Sequence, residues 1–204
     1  MPAHPPTRGA SARLGLCAVL LTAALAFAPQ ASADNLLVNG GFEDGDFTGW
    51  VDLNGLDNSQ VICPDPNDPN FVPPIEGQCY GQFGPVGHLG TLAQGFNTEI
   101  GHSYFVSFAF ASDGQTPNAF NATFGGIPLL ARVDVPDTGG FVRRTFIVPA
   151  SDIQTTLSFD FRNDPGSLLL DAVVVSAVPE PATLAMLAVA LTGLALHRRY
   201  AASR

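Results

Sequence analysis

The chain contains no lysine; all nine of its basic residues are arginine. Five of these lie near the two ends, so only Arg132, Arg143, Arg144 and Arg162 remain between residues 34 and 177. Seventeen carboxylates, from Asp34 to Asp171, stand against those four arginines and give the region a net charge of −13. A domain so acidic repels phosphate backbones and anionic membrane surfaces, which excludes nucleic acid as a partner. It leaves divalent cations, neutral polysaccharides, or plain solubility outside the cell. Catalytic signatures are lacking too. There is no Gly-x-Ser-x-Gly, no His-Glu-x-x-His and no phosphate-binding loop. The paired carboxylates of a glycosidase have no sequence signature and stay open. No stretch has the period of a useful amphipathic helix. The C-terminal apolar run, 182–196, would span about 22 Å as a helix, short of the ~30 Å of a bilayer core.

What the chain does have is a pair of distinctive ends. Residues 1–33 read as a secretory signal peptide. Arg8 and Arg13 form its basic part, 14–27 its apolar part, and Ala31-Ser32-Ala33 a small-residue cleavage site. Cys17 lies within the apolar part, and the large Leu16 before it argues against a lipid anchor. At the other end Val178-Pro179-Glu180-Pro181 precedes the apolar run, and Arg198 and Arg199 follow it. The prolines cannot continue a helix or strand, so they separate the run from what comes before. Basic residues after an apolar helix remain cytoplasmic. The run is therefore expected as a short transmembrane helix, with the layout of a sorting signal or of an ordinary tail anchor.

These residues resemble the PEP-CTERM sorting signal of Gram-negative bacteria: Pro179, Glu180 and Pro181, the apolar helix, then Arg198 and Arg199 as a basic stop. The resemblance covers 178–204. It implies transient anchoring in the inner membrane, cleavage near the motif by an exosortase-type protease, and delivery to the cell surface or a biofilm matrix of exopolysaccharide.

Between the ends lies one domain, 34–177, large enough to bury a core. Export places Cys63 and Cys79 in an oxidising compartment, where a disulfide is expected to close the intervening loop and contribute about 3 kcal/mol. No histidine stands at metal-ligand spacing from either cysteine. Cys63 to Pro74 carries five prolines, so no regular element fits it. Elsewhere short strands bounded by Gly, Pro, Asn or Asp follow one another: 35–43, one opening at Trp50, then 89–98, 103–111, 118–124, 127–135, 141–148, 155–162 and 168–176. Strict alternation, as in Tyr104, Val106, Phe108 and Phe110, indicates antiparallel sheets covered on one face. The fold class is all-β: an antiparallel β-sandwich of jelly-roll type.

A second resemblance rests on Asn35-Leu-Leu-Val-Asn-Gly-Gly-Phe-Glu with Gly49-Trp50, on 101–108, and on the closing Leu169-Leu-Leu-Asp-Ala-Val-Val-Val. It is to galactose-binding-like jelly-roll modules, and implies association with extracellular polysaccharide. In many such modules the first-strand Glu and last-strand Asp help hold a structural calcium ion, which maps onto Glu43 and Asp171. By strand parity Asp171 shares a face with Leu169, Val173 and Val175, so it is expected to point inward and to need a partner. Calcium wants six to eight oxygens, and Asp44 and Asp46 stand nearby to add some. A turn cap, or a pairing of Asp171 with Arg144, is the alternative.

The remaining candidates are weaker. Asp65-Pro-Asn67-Asp68-Pro-Asn70 looks like a calcium loop but lacks the glycine and flanking helices, and reads as a solvated turn. Trp50 is either core or a sugar-stacking ring. Phe71 and Tyr80, in and beside the disulfide loop, are candidates for a sugar platform. His88 and His102 each follow a glycine and read as loop residues. The function expected is that of a non-enzymatic, exported matrix or surface protein whose jelly roll binds polysaccharide. A small secreted hydrolase and a purely structural matrix protein are the alternatives.

Overall fold

The computed structural model describes residues 34–68, 72–179, 191–194 and 198–199. The leader 1–33 lies outside them. Ten strands form in chain order: β1 (Val51–Asp52), β2 (Gln60–Ile62), β3 (Tyr80–Phe83), β4 (Gly90–Asn97), β5 (Ser103–Ser112), β6 (Asn118–Phe124), β7 (Ile127–Val133), β8 (Val142–Pro149), β9 (Gln154–Asn163) and β10 (Leu168–Ala177). They make two antiparallel five-stranded sheets, ordered β1-β4-β9-β6-β7 and β2-β3-β10-β5-β8. Most neighbours in each sheet are distant in sequence, as a jelly roll requires.

The alternating rows explain how the layers meet. Leu157, Phe159 and Phe161 of β9 are fully buried, as are Val106 and Phe108 of β5. They face one another across the sandwich, with Phe108 edge-on to Phe159 at 5.1 Å. Full burial of each such side chain is worth roughly 1.5–3 kcal/mol, so this aromatic layer is the principal source of stability. Trp50 belongs to it. Its ring is 5.8 Å from Phe42, and its indole N–H donates to the Asn39 carbonyl at 3.0 Å. It is therefore core and not a sugar platform.

The expected first strand, 35–43, does not form. Asn39 and Phe42 both have positive φ, which breaks any extended run. Two backbone bonds to β10, Leu36 N–H to the Val175 carbonyl and Val173 N–H to the Gly40 carbonyl, and a set of side chains fasten this segment to the sheets. Asn35 donates through Nδ2 to the Val173 carbonyl (3.0 Å) and accepts the Val175 N–H (2.9 Å), imitating a strand's ladder. Gln94 does the same for the backbone of Val38 in the other sheet. Phe42 is thereby swung fully into the core.

Strand β10 carries the second departure from expectation. Its register against β5 shifts between Asp171 and Val174, and Ala172 sits at φ +52. This bulge reverses parity. Leu168 and Leu170 face the core before it, Val173 and Val175 after it. Asp171 thus does not share a face with Val173 and Val175. It shares the outer face with Leu169, and is buried by a loop lying over that face.

The final strand ends at Ala177, and Val178 still donates to the Ser103 carbonyl (2.9 Å). Pro179 is thus one residue past the sheet. Glu180, Pro181 and most of the apolar run lie outside the described residues. Of the run's expected helix, residues 191–194 are helical, as are Arg198 and Arg199. No helix among the described residues is long and apolar enough to cross a membrane.

Candidate functional site: a cleft on the outer sheet face

The sheet β2-β3-β10-β5-β8 leaves one face away from the core. Register pairs Gln82 with Leu169 and Leu169 with Ala111, so these three form a row across it. On β5 the outward positions Ser107, Ala109 and Ala111 are all small. Larger groups from the flanks fold over them. The rings of Tyr80 and Phe141 meet edge-to-face at 5.6 Å, and Arg143 donates to the Ser107 hydroxyl at 3.3 Å. Beside this cover opens a cleft of about 580 Å³. Its floor is Ile62, Tyr80, Leu169 and Ala111; the disulfide loop contributes Pro64, Asp68 and Val72 on one side, and Asp137, Gly139 and Gly140 close the other. Gln82, Ser112, Asp113 and Ser167 supply polar groups. An apolar floor with a few placed polar groups is the usual make-up of a ligand site.

The electrostatics of the cleft are one-sided. Among the described residues its charged side chains are Asp68, Asp113 and Asp137, and none is basic. Burial acts to raise the Asp113 carboxyl. The N–H groups of Gln115 and Ser167, with the Asn163 and Gln115 side chains, outweigh it and hold the group below the usual carboxylate range. It is a fixed negative charge, not a proton donor. Burial, and then the charge of Asp68, push the Tyr80 hydroxyl up. Tyr80 is only 5% exposed, so it contributes the cleft's floor and not a free-standing platform. Phe71 lies outside the described residues.

Cys63 and Cys79 form the expected disulfide. The carboxylates of Glu43 and Asp171 come together on the inner side of the loop it closes. Glu43 accepts the N–H groups of Gln78 and Cys79, and Asp171 those of Ile75, Glu76 and Ala172. Burial, with the charge of Glu43 adding to it, pushes Asp171 up to about 6, against the pull of its three N–H donors. These surroundings do not fit calcium. Each of the four oxygens already faces the positive end of an N–H dipole, whereas a cation needs carbonyls and further carboxylates there. Asp46 accepts the Thr48 N–H, and the Asp44 backbone N–H donates to Asn39 Oδ1. Among the described residues no three His, Cys, Asp or Glu side chains are grouped to hold a metal. Arg144 does not pair with Asp171; its guanidinium lies over the Phe110 ring at 5.7 Å.

The other candidates fall into loops. Asp65 accepts the Asn67 N–H and the Asp68 N–H reaches its carbonyl, a closed turn. The two ring nitrogens of His88 lie 3.1 Å from the carbonyls of Val86 and Gly55. His102 lies 3.5 Å from Glu99. Of the cleft, sequence reasoning found Tyr80 and the disulfide loop, and missed Gln82, Asp113, Asp137, Ser167 and Leu169. One signal was available: the run of small outward residues on β5, which leaves room above a sheet.

The two-sheet jelly roll that carries this cleft is similar in fold to solved carbohydrate-binding modules. The carbohydrate-binding module TmCBM61, solved in complex with β-1,4-galactotriose, matches 72% of this chain and all of its own with a TM-score of 0.53 at 18% identity. The CBM22-1 xylan-binding domain from Paenibacillus barcinonensis Xyn10C matches 74% of this chain and 99% of its own, with a TM-score of 0.51 at 15% identity. The enzymatically active domain of tailspike protein 4 from bacteriophage CBA120 has the same TM-score and identity, but over 21% of its length. At these identities the likeness is one of fold. Residues 177–199 match the PEP-CTERM protein-sorting motif. No curated protein matches the sequence.

Proposed function

We propose that the protein is an exported, exosortase-processed surface or matrix protein whose jelly roll binds extracellular polysaccharide in the cleft over β3, β10 and β5. The observation that carries this reading is the cleft itself: an apolar floor with carboxylate, amide and hydroxyl groups at its sides, on the outer face of the sheet. Sugar rings present apolar faces and hydroxyl edges, which match that pairing. Non-anionic glycans suit it, since every charged group among the described lining residues is a carboxylate. Recognition is favoured over hydrolysis. A glycosidase needs one carboxyl raised as an acid and another ionised as base or nucleophile. Here the raised carboxyl, Asp171, lies beneath a loop, while Asp113 in the cleft is held ionised.

A glycan array probed with the secreted protein tests this. Binding to one class of neutral polysaccharide, lost on Leu169→Arg, is the expected result. Binding to no glycan, or binding unaffected by a charge placed on the cleft floor, overturns it.

A further inference from the structure

Glu43 and Asp171 come from opposite ends of the domain and grip one short segment. Gln78 donates to both Glu43 oxygens at 2.9 Å, and Cys79 to Oε1 at 2.9 Å. Ile75 and Glu76 donate to Asp171 Oδ2 at 2.8 and 3.2 Å. Between the two pairs of donors Gly77 turns at φ +63, and a Cβ there would run into the Glu43 carboxylate. The segment is shaped around the two acids. Asp171 has no exposure at all, yet among the described residues no basic side chain neutralises it. The positive charge density it meets is made of backbone amides, as in the anion-binding concavities of turns.

We infer that segment 75–79 stands in for a structural cation, and that the two carboxylates form an amide clamp fixing the disulfide loop to the sheet. Cys79 is the hinge point of the design: it is both an N–H donor to Glu43 and a partner in the disulfide. The covalent and hydrogen-bonded tethers therefore meet in one residue. Tyr80, on the cleft floor, follows it directly, and Pro64, Asp68 and Val72 of the same loop wall the cleft. The domain is held there by its own backbone amides, and so is insensitive to calcium supply. That the clamp shapes a sugar site rests on the function proposed above; the clamp itself does not.

Thermal unfolding of the secreted protein, with chelator and with millimolar calcium, tests the inference on the unmodified chain. The expected melting temperature is the same in both. Glu43→Gln and Gly77→Ala are each expected to lower it and to speed proteolytic cleavage within 63–79 about tenfold, with the double variant little worse than either alone, because both release the same contact. A melting temperature raised several degrees by calcium, with the rise lost in Asp171→Asn, would overturn the clamp. So would a loop whose protease resistance survives Glu43→Gln. If a variant fails to fold, the chelator and calcium arms still decide. Failure of glycan binding with the clamp intact would count only against the proposed function.

Discussion

Phe83 of β3 and Phe161 of β9 stack with centroids 3.9 Å apart and planes 7° from parallel, joining the two sheets ring to ring. Both are fully buried, and Phe42 and Phe120 pack against their outer edges. Phe161→Ala therefore leaves a cavity between layers that no flexible neighbour can fill. A loss of about 3–5 kcal/mol is expected, read from denaturant unfolding. Trp50 is the sole tryptophan and sits in the same layer, so its fluorescence reports the transition directly.

The pH dependence of stability has a definite sign. Asp171 in the folded chain titrates at about 6, above its ordinary 3.8. The folded state therefore binds this proton more tightly than the unfolded state does. Stability from this group is greatest below pH 4, falls as pH rises from about 4 to 6, and is flat above. The amplitude is on the order of 2–3 kcal/mol, since each unit between the folded and unfolded values is worth about 1.4 kcal/mol. Asp171→Asn is expected to remove that slope in urea unfolding measured at pH 4, 5, 6 and 7. It also loses a hydrogen bond, because its NH2 group must face an N–H donor. A slope unchanged in the variant would assign the titration elsewhere.

How much of this was legible in the sequence depends on what sets each feature. The seven strands from β4 to β10 follow from alternation and turn residues, which are local. Strand β3 was not legible: Gly81 interrupts its pattern, and its place between β2 and β10 is set by pairings far along the chain. Asn35 to Glu43 reads as a strand by composition, but the positive φ of Asn39 and Phe42 is imposed by packing. The face of Asp171 was misjudged for a similar reason. Parity counting assumes an unbroken pleat, and the bulge at Ala172 breaks it. Glu43 and Asp171, expected as a calcium pair, both bond to segment 75–79. Their partners are backbone N–H groups, which carry no signature in the side-chain sequence.

The charge of the cleft predicts selectivity. Asp113 is locked by hydrogen bonds, while Asp137 makes one, to the Gly139 N–H, and is exposed at the cleft edge. Given a neutral glycan that binds, its uronate counterpart is expected to bind at least tenfold more weakly, a difference of about 1.4 kcal/mol. Asp137→Asn is expected to narrow that gap, and added salt to narrow it further. Calorimetry on a polysaccharide and its oxidised form gives the comparison. Equal affinity for both would show that the carboxylates do not face the ligand.

The sorting motif makes the last prediction. Val178 is still bonded to Ser103 of β5, so the fold holds the chain until one residue before Pro179. A protease that cuts near Pro179-Glu180-Pro181 works against a folded edge, and the backbone available to it begins at the motif. Processing is expected to yield a product ending within a few residues of Ala177 and lacking Arg198 and Arg199, as measured by intact mass of the secreted protein. Replacing Pro179, Glu180 and Pro181 together by alanine is expected to leave the tail attached and the protein in the membrane fraction. The domain itself is expected to fold unchanged, because the pairing of β10 with β5 and the Val178–Ser103 bond precede Pro179. Inserting six glycine and serine residues after Val178 separates the two requirements. If the motif alone is read, processing persists with the mass of the product raised by the insert. If the folded edge positions the cut, the insert survives on the discarded tail and the product mass is unchanged.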